Sequence, residues 1–438
     1  MAQRLLTLLA ASGLLAAAPV LAQASTTQGP KGGKPLELVK SFDDDFRLVG
    51  IGASKTGRIF ATAPAQNVRS RYSMVEIDPK TGTLTPYPDA EWNSFTDHPD
   101  GRPEWISLQA LWDDKGRPSL GAGFVPAQAG PGYAAAKLVE FDLKTNTPIR
   151  TYLFKGVVSA TDSLNDVRVD LVHGYAYLTN IGNKGSLVVL NLKSGESRQV
   201  LVGDRSTYAD PQQHLMINGQ PALRPDGSVV AIHADGIALS PDAKWLWYRP
   251  LTDHNYWRVP TAALIDPKLS PDALSKTVEY LGSAALTGGL IMDKHGTLYG
   301  GDLEHGTVVA LTLKPGAHTL AEKVFASDPR LSWADGFAMS GGDLYLADSH
   351  LWELAFKNDL PRSGRSVFQG EAAIRSPAGE PLRPFFYGWS STHYSGDPAI
   401  FLLRSKGRTR GLSLLTQILQ IYQIRNSGHA GRGAMETP

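Results

Sequence analysis

The hydrophobic and polar positions of this chain alternate in short runs, and one arrangement of runs recurs. A short apolar strand is followed by a polar turn with Asp or Gly, and then by a second β-rich strand. Period-2 alternation bounded by turn residues is typical of antiparallel strands in hairpins. The first strands of the recurring unit begin near residues 50, 107, 165, 235, 288 and 335.

The spacing of these units predicts the architecture. A four-stranded propeller blade needs about 40 to 50 residues, so the longer intervals here leave room for loops. Three units show a clear third strand. These third strands are Ser73–Asp78, Lys137–Asp142 and Ser186–Asn191. Closing such units in a ring leaves no sheet edge exposed. We therefore predict an all-β fold, a six-bladed β-propeller formed as one domain by residues 45–364.

The N-terminus reads as a targeting segment. Arg4 is followed by the apolar run Leu5–Val20 and by the small-residue site Ala22-Gln23-Ala24. This order is typical of a secretory signal peptide. We expect cleavage after residue 24 and a secreted or periplasmic protein, with an uncleaved anchor as the alternative. Residues 25–44 are rich in Gly, Pro, Ser and Thr, and we expect a flexible lead-in there.

Composition and charge exclude several classes of function. Lys and Arg total 43 and Asp and Glu total 42, so the net charge of +1 gives no electrostatic basis for binding nucleic acid. The absence of cysteine excludes disulfides, thiolate nucleophiles and cysteine–zinc sites. Beyond the signal, no stretch is apolar enough to span a bilayer. Zinc-protease, serine-hydrolase and dinucleotide motifs are also missing from the sequence.

Candidate chemistry lies where the predicted first strands begin. In a propeller these strands surround one central channel, so the polar residues that open them converge on one mouth. These residues are Glu104, Asn165, Asp235, Thr287 and Asp335. Asp235 and Asp335 would attract a cationic ligand, and His233 could point into the channel as a base or a ligand. The alternatives are that Asn and Asp cap turns, and that His233 is packed or solvated.

Several stretches resemble the major royal jelly/yellow protein family, including its bacterial members. The resembling stretches are Tyr87-Pro88-Asp89, Glu91-Trp92-Asn93, Leu164–Asp170, Asp235–Ser240, Arg330–Phe337 and Leu344–Ser349. The resemblance implies a secreted six-bladed propeller related to gluconolactonase-type propellers. Those propellers hold a divalent ion with Glu, Asn and Asp, which implies Glu104, Asn165 and Asp235 as metal ligands and calcium as the candidate ion. Thr287 stands where that group presents an acid, which weakens the assignment.

Departures from the family pattern occur at two places. At two places where the family has a strand, this sequence has residues that form strands poorly, Ser119–Gly123 and Phe368–Ala372. At each place, codons for these residues can encode the family's strand when they are read in a shifted frame. The hypothesis is a compensated frameshift near Pro118 and an uncompensated one near Arg365. Ordinary divergence is the alternative, and resequencing the gene distinguishes the two. In either case we expect residues 365–438 to form an irregular tail that adds no blade strand.

The sequence leaves three functions open. The first is an exported protein that binds a small molecule, such as a cationic amine, in its channel. The second is a divalent-metal-dependent lactonase or related hydrolase, in which the ion polarises a carbonyl and activates water. The third is an interaction propeller without a small ligand. We expect a small-molecule ligand as the partner, no nucleic acid, and no membrane span after signal cleavage.

Overall fold

A computed structural model describes most of the chain between Gly33 and Leu403. The described residues are 33, 36–42, 46, 48–54, 56–64, 70–78, 81–94, 105, 112–113, 122–127, 136–159, 161–182, 184–340, 343–349 and 399–403. The predicted signal peptide, the first strand predicted to begin near residue 107 and the predicted tail apart from residues 399–403 therefore lie outside the described residues. The structure neither supports nor contradicts what the sequence predicts for them.

Within the described part of the chain, six four-stranded antiparallel sheets follow one another. The first strand, β1 (Glu37–Ser41), belongs to the last of them. Sheet 1 contains β2 (Gly50–Ala53), β3 (Ile59–Thr62), β4 (Met74–Ile77) and β5 (Leu84–Pro86). Sheet 2 contains β6 (Trp112–Asp113), β7 (Ala122–Ala127), β8 (Lys137–Asp142) and β9 (Thr147–Leu153). Sheet 3 contains β10 (Leu164–Asp170), β11 (Tyr175–Asn180), β12 (Ser186–Asn191) and β13 (Ser197–Val200).

The second half of the chain repeats this plan after one insertion. The insertion carries a small hairpin of β14 (Met216–Ile217) and β15 (Gln220–Pro221). Sheet 4 contains β16 (Ala234–Leu239), β17 (Trp245–Pro250), β18 (Asn255–Pro260) and β19 (Glu279–Ser283). Sheet 5 contains β20 (Thr287–Met292), β21 (Leu298–Asp302), β22 (Thr307–Thr312) and β23 (Ala321–Ser327). Sheet 6 contains β24 (Ala334–Ser340), β25 (Asp343–Asp348), β26 (Ala399–Leu403) and β1.

Two short helices, α1 (Thr261–Ile265) and α2 (Pro271–Ser275), connect β18 to β19. Ser270 begins α2 as its N-cap, and its hydroxyl accepts a hydrogen bond from the amide of Ala273. Among the described residues, no helix is long and apolar enough to cross a membrane. The fold is therefore built from sheets, as the alternating pattern predicts.

The turns between strands use the polar residues that the sequence places there. The Asp142 carboxylate accepts a hydrogen bond from the amide of Lys144 at 2.7 Å, and Asn191 does the same for Lys193 at 2.9 Å. Gly82 and Gly195 follow with φ of 68° and 83°, a region that glycine reaches without strain. Lys193-Ser194-Gly195 is thus the hairpin turn between β12 and β13.

The sheets pack face to face, and their first strands lie next to one another at the centre of the arrangement. Each first strand contacts the first strand of the next sheet, and β24 of sheet 6 contacts β2 of sheet 1. Buried hydrophobic clusters fill the spaces between neighbouring sheets. Four-stranded meanders stacked radially around their first strands define a β-propeller. The all-β propeller predicted from the sequence is therefore confirmed.

The structure differs from the sequence-based expectation at both ends of the described chain. The lead-in 25–44 contains β1, and the tail 365–438 contains β26. Strand β26 pairs on one side with β25, with Leu346 opposite Phe401, and on the other side with β1, with Ser41 opposite Ala399. The expectation that the tail adds no blade strand is wrong for this segment. Its pairing partners lie far away in the sequence, so local pattern could not reveal it.

Candidate functional site

The predicted site residues lie on or beside the first strands, but they are deeply buried. Asn165 and Asp235 are each 1% exposed, Asp335 is 2% exposed and Thr287 is fully buried. Glu104 lies outside the described residues. The sequence predicts an open mouth lined by these polar groups. The structure instead places them inside the channel, because a further segment covers the end at which the first strands begin.

The covering segment is the insertion between sheets 3 and 4, residues 204–232, here called the mouth cap. Apolar side chains of the mouth cap pack in one buried cluster with residues from the sheets. Each of these sheet residues lies directly before the first strand of its sheet or directly after the second strand. The members of this cluster are Val49, Ile181, Leu215, Ala222, Val230, Ile232, Leu251, Leu286, Leu303 and Trp333. Five of the six sheets contribute to it, so the mouth cap closes over the channel end as a whole.

Glycines on the first strands allow neighbouring sheets to approach closely at this level. A Cβ at Gly236 would lie 2.4 Å from the carbonyl oxygen of Gly288. A Cβ at Gly289 would lie 2.0 Å from the backbone oxygen of Asp335. The DG and GG pairs that open β16 and β20 are therefore required by backbone packing around the channel. The two glycines that follow Thr287 in sheet 5 thus serve this close packing.

A group of charged side chains occupies the channel interior. The Asp166 carboxylate forms an ion pair with Arg168, with 3.1 Å between Oδ1 and Nη1, and both side chains are at least nine-tenths buried. The Arg168 guanidinium also donates hydrogen bonds to the carbonyls of Val167 and Leu290. Leu290 lies in sheet 5, so Arg168 of sheet 3 reaches past sheet 4. One arginine thereby links first strands that are not adjacent.

A second buried acid faces this ion pair. The Asp335 carboxylate accepts a hydrogen bond from the amide of Gly289 at 3.2 Å. Burial raises the pKa of Asp335 to about 8 against the hydrogen bond from Gly289, and the negative charges of Asp166 and Asp348 contribute to this rise. Burial also raises the pKa of Asp166 to about 7, although the positive charge of Arg168 opposes this. The two acids interact electrostatically, and together they hold protons near neutral pH.

Backbone contacts tie Asp166 and Asp235 to one threonine. The Thr179 hydroxyl accepts a hydrogen bond from the amide of Asp166 at 3.0 Å and donates one to the carbonyl of Asp235 at 2.7 Å. Thr179 is fully buried on β11, between sheets 3 and 4. The two aspartates are therefore fixed relative to each other by the backbone, which favours a preformed site over a mobile one.

His233 lies against the mouth cap. Its imidazole ring stacks on Tyr208, with 4.2 Å between ring centroids, and its Nδ1 atom accepts a hydrogen bond from the amide of Ala209 at 3.2 Å. A ring nitrogen that accepts a hydrogen bond carries no proton. The structure thus engages His233 in contacts with the cap, and its role as a channel base or ligand stays a prediction.

The predicted metal site has two of its three proposed ligands among the described residues. Asn165 and Asp235 supply buried oxygen atoms, whereas Glu104 lies outside the described residues. In the described part of the chain, no group of three or more His, Asp or Glu side chains is placed to hold a metal ion. The described residues thus do not by themselves form a calcium site.

Sequence reasoning missed Asp166 and Arg168 as site residues. A signal for them exists in β10, where Asp166, Arg168 and Asp170 alternate with apolar residues. Every residue of this strand is buried, so the charged side chains of one strand face must find partners inside the protein. Two of these charged residues, Asp166 and Arg168, pair inside the channel, whereas Asp170 accepts hydrogen bonds in the turn that follows β10.

The fold and the buried charge group define the class of this protein as a β-propeller with a polar channel. The sequence pattern of the family described as major royal jelly protein matches residues 123–369, more than half of the 438 residues. The chain therefore belongs to the major royal jelly protein family. No curated protein matches the chain.

Solved structures are similar to the chain at low sequence identity. A luciferin-regenerating enzyme is 12% identical, with a TM-score of 0.46 over 86% of this chain and 96% of that protein. Regucalcin from Agrobacterium tumefaciens, described as a calcium-binding protein, is 13% identical, with a TM-score of 0.42 over 72% of this chain and 86% of its own. A gluconolactonase from Xanthomonas campestris is 13% identical, with a TM-score of 0.41 over 74% and 97%.

Proposed function

We propose that the protein binds a small cationic molecule, an organic amine, in its propeller channel. The observation that carries the proposal is the pair of buried acids, Asp166 and Asp335, which face each other from opposite parts of the ring. Arg168 is the cation paired with Asp166. Asp235, fully enclosed on β16, adds a third carboxyl group to the same channel. An additional positive charge would be attracted to this group of acids.

Burial supplies the physical reason why a cation would bind here. Removing a carboxylate from water disfavours its charged form, so Asp166 and Asp335 retain protons near neutral pH. An ammonium group placed beside them stabilises the ionised form and replaces a proton. Binding should therefore release protons, and affinity should rise between pH 6 and pH 8, where the free acids ionise and amines remain charged.

Isothermal titration calorimetry tests the proposal directly. We expect members of a panel of primary amines to bind, and the corresponding alcohols, which lack the charge, to bind at least about tenfold more weakly. The apparent enthalpy should differ between two buffers of different ionisation enthalpy, because protons are released. D335N should weaken amine binding and reduce this difference. D242N, in the exposed turn between β16 and β17, serves as the matched control and should leave both unchanged.

Two outcomes would argue against an amine site. Equal affinity for an amine and its neutral analogue would show that the acids do not select a charge. Amine binding that is unchanged in D335N would show that the ligand lies elsewhere. Binding of a divalent ion that requires Glu104, Asn165 and Asp235 would instead favour the metal-dependent hydrolase.

We also propose that the six sheets close into a single six-bladed ring. The successive contacts of the first strands, including the contact between β24 and β2, support this count. Export remains a further proposal, supported by the signal-like sequence of residues 1–24. N-terminal sequencing of protein recovered outside the cytoplasm tests export, since a sequence that still begins at Met1 would contradict cleavage.

A further inference from the structure

One histidine connects the mouth cap to the propeller. His254 follows β17 in a loop of sheet 4, next to the covered channel end. Its Nδ1 atom lies 3.2 Å from the Oε1 atom of Gln213 in the mouth cap, and its Nε2 atom lies 3.0 Å from the Oε2 atom of Glu304 in sheet 5. The other carboxylate oxygen of Glu304 accepts a hydrogen bond from the cap amide of Met216 at 2.8 Å.

The contacts of Gln213 fix which of its amide atoms faces the histidine. The backbone amide of His254 donates to Oε1 of Gln213 at 3.0 Å, and Nε2 of Gln213 donates to the Asp210 carboxylate at 2.9 Å. An oxygen therefore faces each of the two ring nitrogens of His254. A neutral imidazole has one N–H donor, whereas the imidazolium has two. Only the protonated ring can donate to both Gln213 and Glu304.

We propose that the mouth cap is a pH-dependent gate, held closed by the imidazolium form of His254, which clamps the cap segment around Gln213 and Met216 to sheet 5. Loss of the proton leaves one ring nitrogen facing an oxygen without a hydrogen between them. The clamp then loses one charged hydrogen bond and its ion pair with Glu304. The inference concerns the cap alone and holds whether or not an amine occupies the channel.

The charges around His254 set the direction of the pH effect. The ionisable groups that surround it from the mouth cap and from sheets 4 and 5 are Asp210, His214, Arg249, Asp253, Glu304 and His305. Burial raises the pKa of Glu304, but the stronger combined effect of the bonds from His254 and Met216 lowers it. Hydrogen bonds to Gln212 and Gln213 lower the pKa of Asp210. The lowered pKa values favour the charged carboxylates, and their negative charges favour the imidazolium.

The two oxygen atoms that face the ring nitrogens hold the cap more tightly at acidic pH than at alkaline pH. Imidazole groups lose their second proton between about pH 5 and pH 8. Protonation of His233 would act in the opposite direction, because its Nδ1 atom must accept from Ala209. The two histidines contact different parts of the mouth cap, so amides near Ala209 and amides near Met216 report on them separately.

Hydrogen exchange measured by mass spectrometry on the full chain tests the gate. Protection factors, corrected for intrinsic exchange at each pH, should fall about tenfold or more for residues 213–217 between pH 5.5 and pH 8. This fall should exceed the fall in β22, whose amides report the change in global stability over the same pH range. H254Q should reduce the fall at residues 213–217 to that of β22, whereas H318Q, a histidine in the exposed turn before β23, should retain the larger fall. Wild-type protection that does not change with pH, or an H254Q variant that keeps the fall, would overturn the proposal.

A second variant keeps the proposal testable if H254Q does not fold. E304Q keeps an oxygen that can accept from the Met216 amide but removes the charge that holds the imidazolium. We expect it to lower protection of residues 213–217 at pH 5.5 and to flatten the pH profile, with β22 protection unchanged. If E304Q instead retains the full wild-type profile, the ion pair does not hold the gate and the proposal fails.

Discussion

At the residue scale, the buried acids of the channel make stability depend on pH. The pKa of Asp335 rises from its ordinary value of 3.8 to about 8 because the carboxyl group is buried. The native state then binds more protons than the unfolded state between about pH 4 and pH 8, so the free energy of unfolding decreases as the pH rises through this window. Asp166 acts in the same direction up to about pH 7.

We predict that D335N reduces this loss of stability. The amide cannot ionise, so the difference in unfolding free energy between pH 5 and pH 8 should shrink by ~1–3 kcal/mol relative to the wild type. Urea unfolding at both pH values measures it. D242N is the exposed control and should retain the wild-type difference. A D335N profile parallel to that of the wild type would mean that Asp335 is ionised throughout.

A second residue-scale prediction concerns Gly289. A Cβ there would lie 2.0 Å from the backbone oxygen of Asp335, so alanine would push β20 away from β24. We expect G289A to lower the unfolding free energy by about 3 kcal/mol, measured by urea unfolding. G316A is the matched control, since its Cβ would meet nothing within 4 Å and only its φ of 76° opposes alanine. It should lose about 1 kcal/mol, and equal losses in the two variants would contradict a packing role.

The sequence could place part of this site and not the rest. Asn165, Asp235 and Asp335 were predicted on or next to first strands, where the structure has them. Their burial could not be predicted, because it depends on a mouth cap whose residues show no regular alternation. Arg168 donates a hydrogen bond to the carbonyl of Leu290, which lies 122 positions later in the chain. This contact depends on how three sheets are arranged around the channel. Strand pattern contains no information about that arrangement.

At the scale of elements, the alternation of apolar and polar residues predicts individual strands well. It predicts poorly which strands pair when they lie far apart in the sequence. The predicted third strands Lys137–Asp142 and Ser186–Asn191 coincide with β8 and β12. Each is bounded by a polar turn and pairs with a neighbour in sequence, so alternation and turn chemistry identify it. Strand β26 pairs with β1, which lies more than 300 residues earlier, and its surroundings are rich in Arg, Ser and Gly. Only the three-dimensional closure of sheet 6 reveals it.

We predict that a proline in β26 destabilises the protein strongly. The strand lies between β25 and β1, so both of its edges take part in ladder pairing, and a proline removes one amide donor and distorts the strand. F401P should lower the unfolding free energy by about 3 kcal/mol or more, measured by urea unfolding. S405P, two positions after the last residue of β26 in the sequence, serves as the control, with an expected change below about 1 kcal/mol.

Truncation provides an independent test of the same strand. A chain ending after residue 398 lacks β26 and leaves β25 and β1 without their shared partner, whereas a chain ending after residue 405 keeps it. The shorter chain should be much less stable than the longer one. Equal stability of the two chains would show that β26 does not contribute to sheet 6, and would return the tail to the irregular segment expected from its sequence.

At the scale of the whole molecule, the propeller should unfold as one cooperative unit. Each sheet buries both faces against neighbours, and sheet 6 joins strands from both ends of the described chain. If one sheet unfolds, the hydrophobic clusters on its two sides become exposed. The first strands of the two neighbouring sheets also lose their contact with the first strand of that sheet. Such coupling distinguishes a closed ring from an open repeat array, in which each unit contacts only its neighbours in sequence and can unfold from an end.

The last prediction tests this coupling with a cavity in sheet 6. Leu346 is fully buried between sheets 5 and 6, so L346A should lower the unfolding free energy by about 2–5 kcal/mol. The slowest-exchanging amides of β12, in the distant sheet 3, should lose protection by the same free energy, measured by native-state hydrogen exchange. V172A, at a position that is 80% exposed, is the matched control and should change neither quantity by more than about 0.5 kcal/mol. If β12 keeps its protection in L346A while sheet 6 loses it, the sheets unfold independently and the ring does not act as one unit.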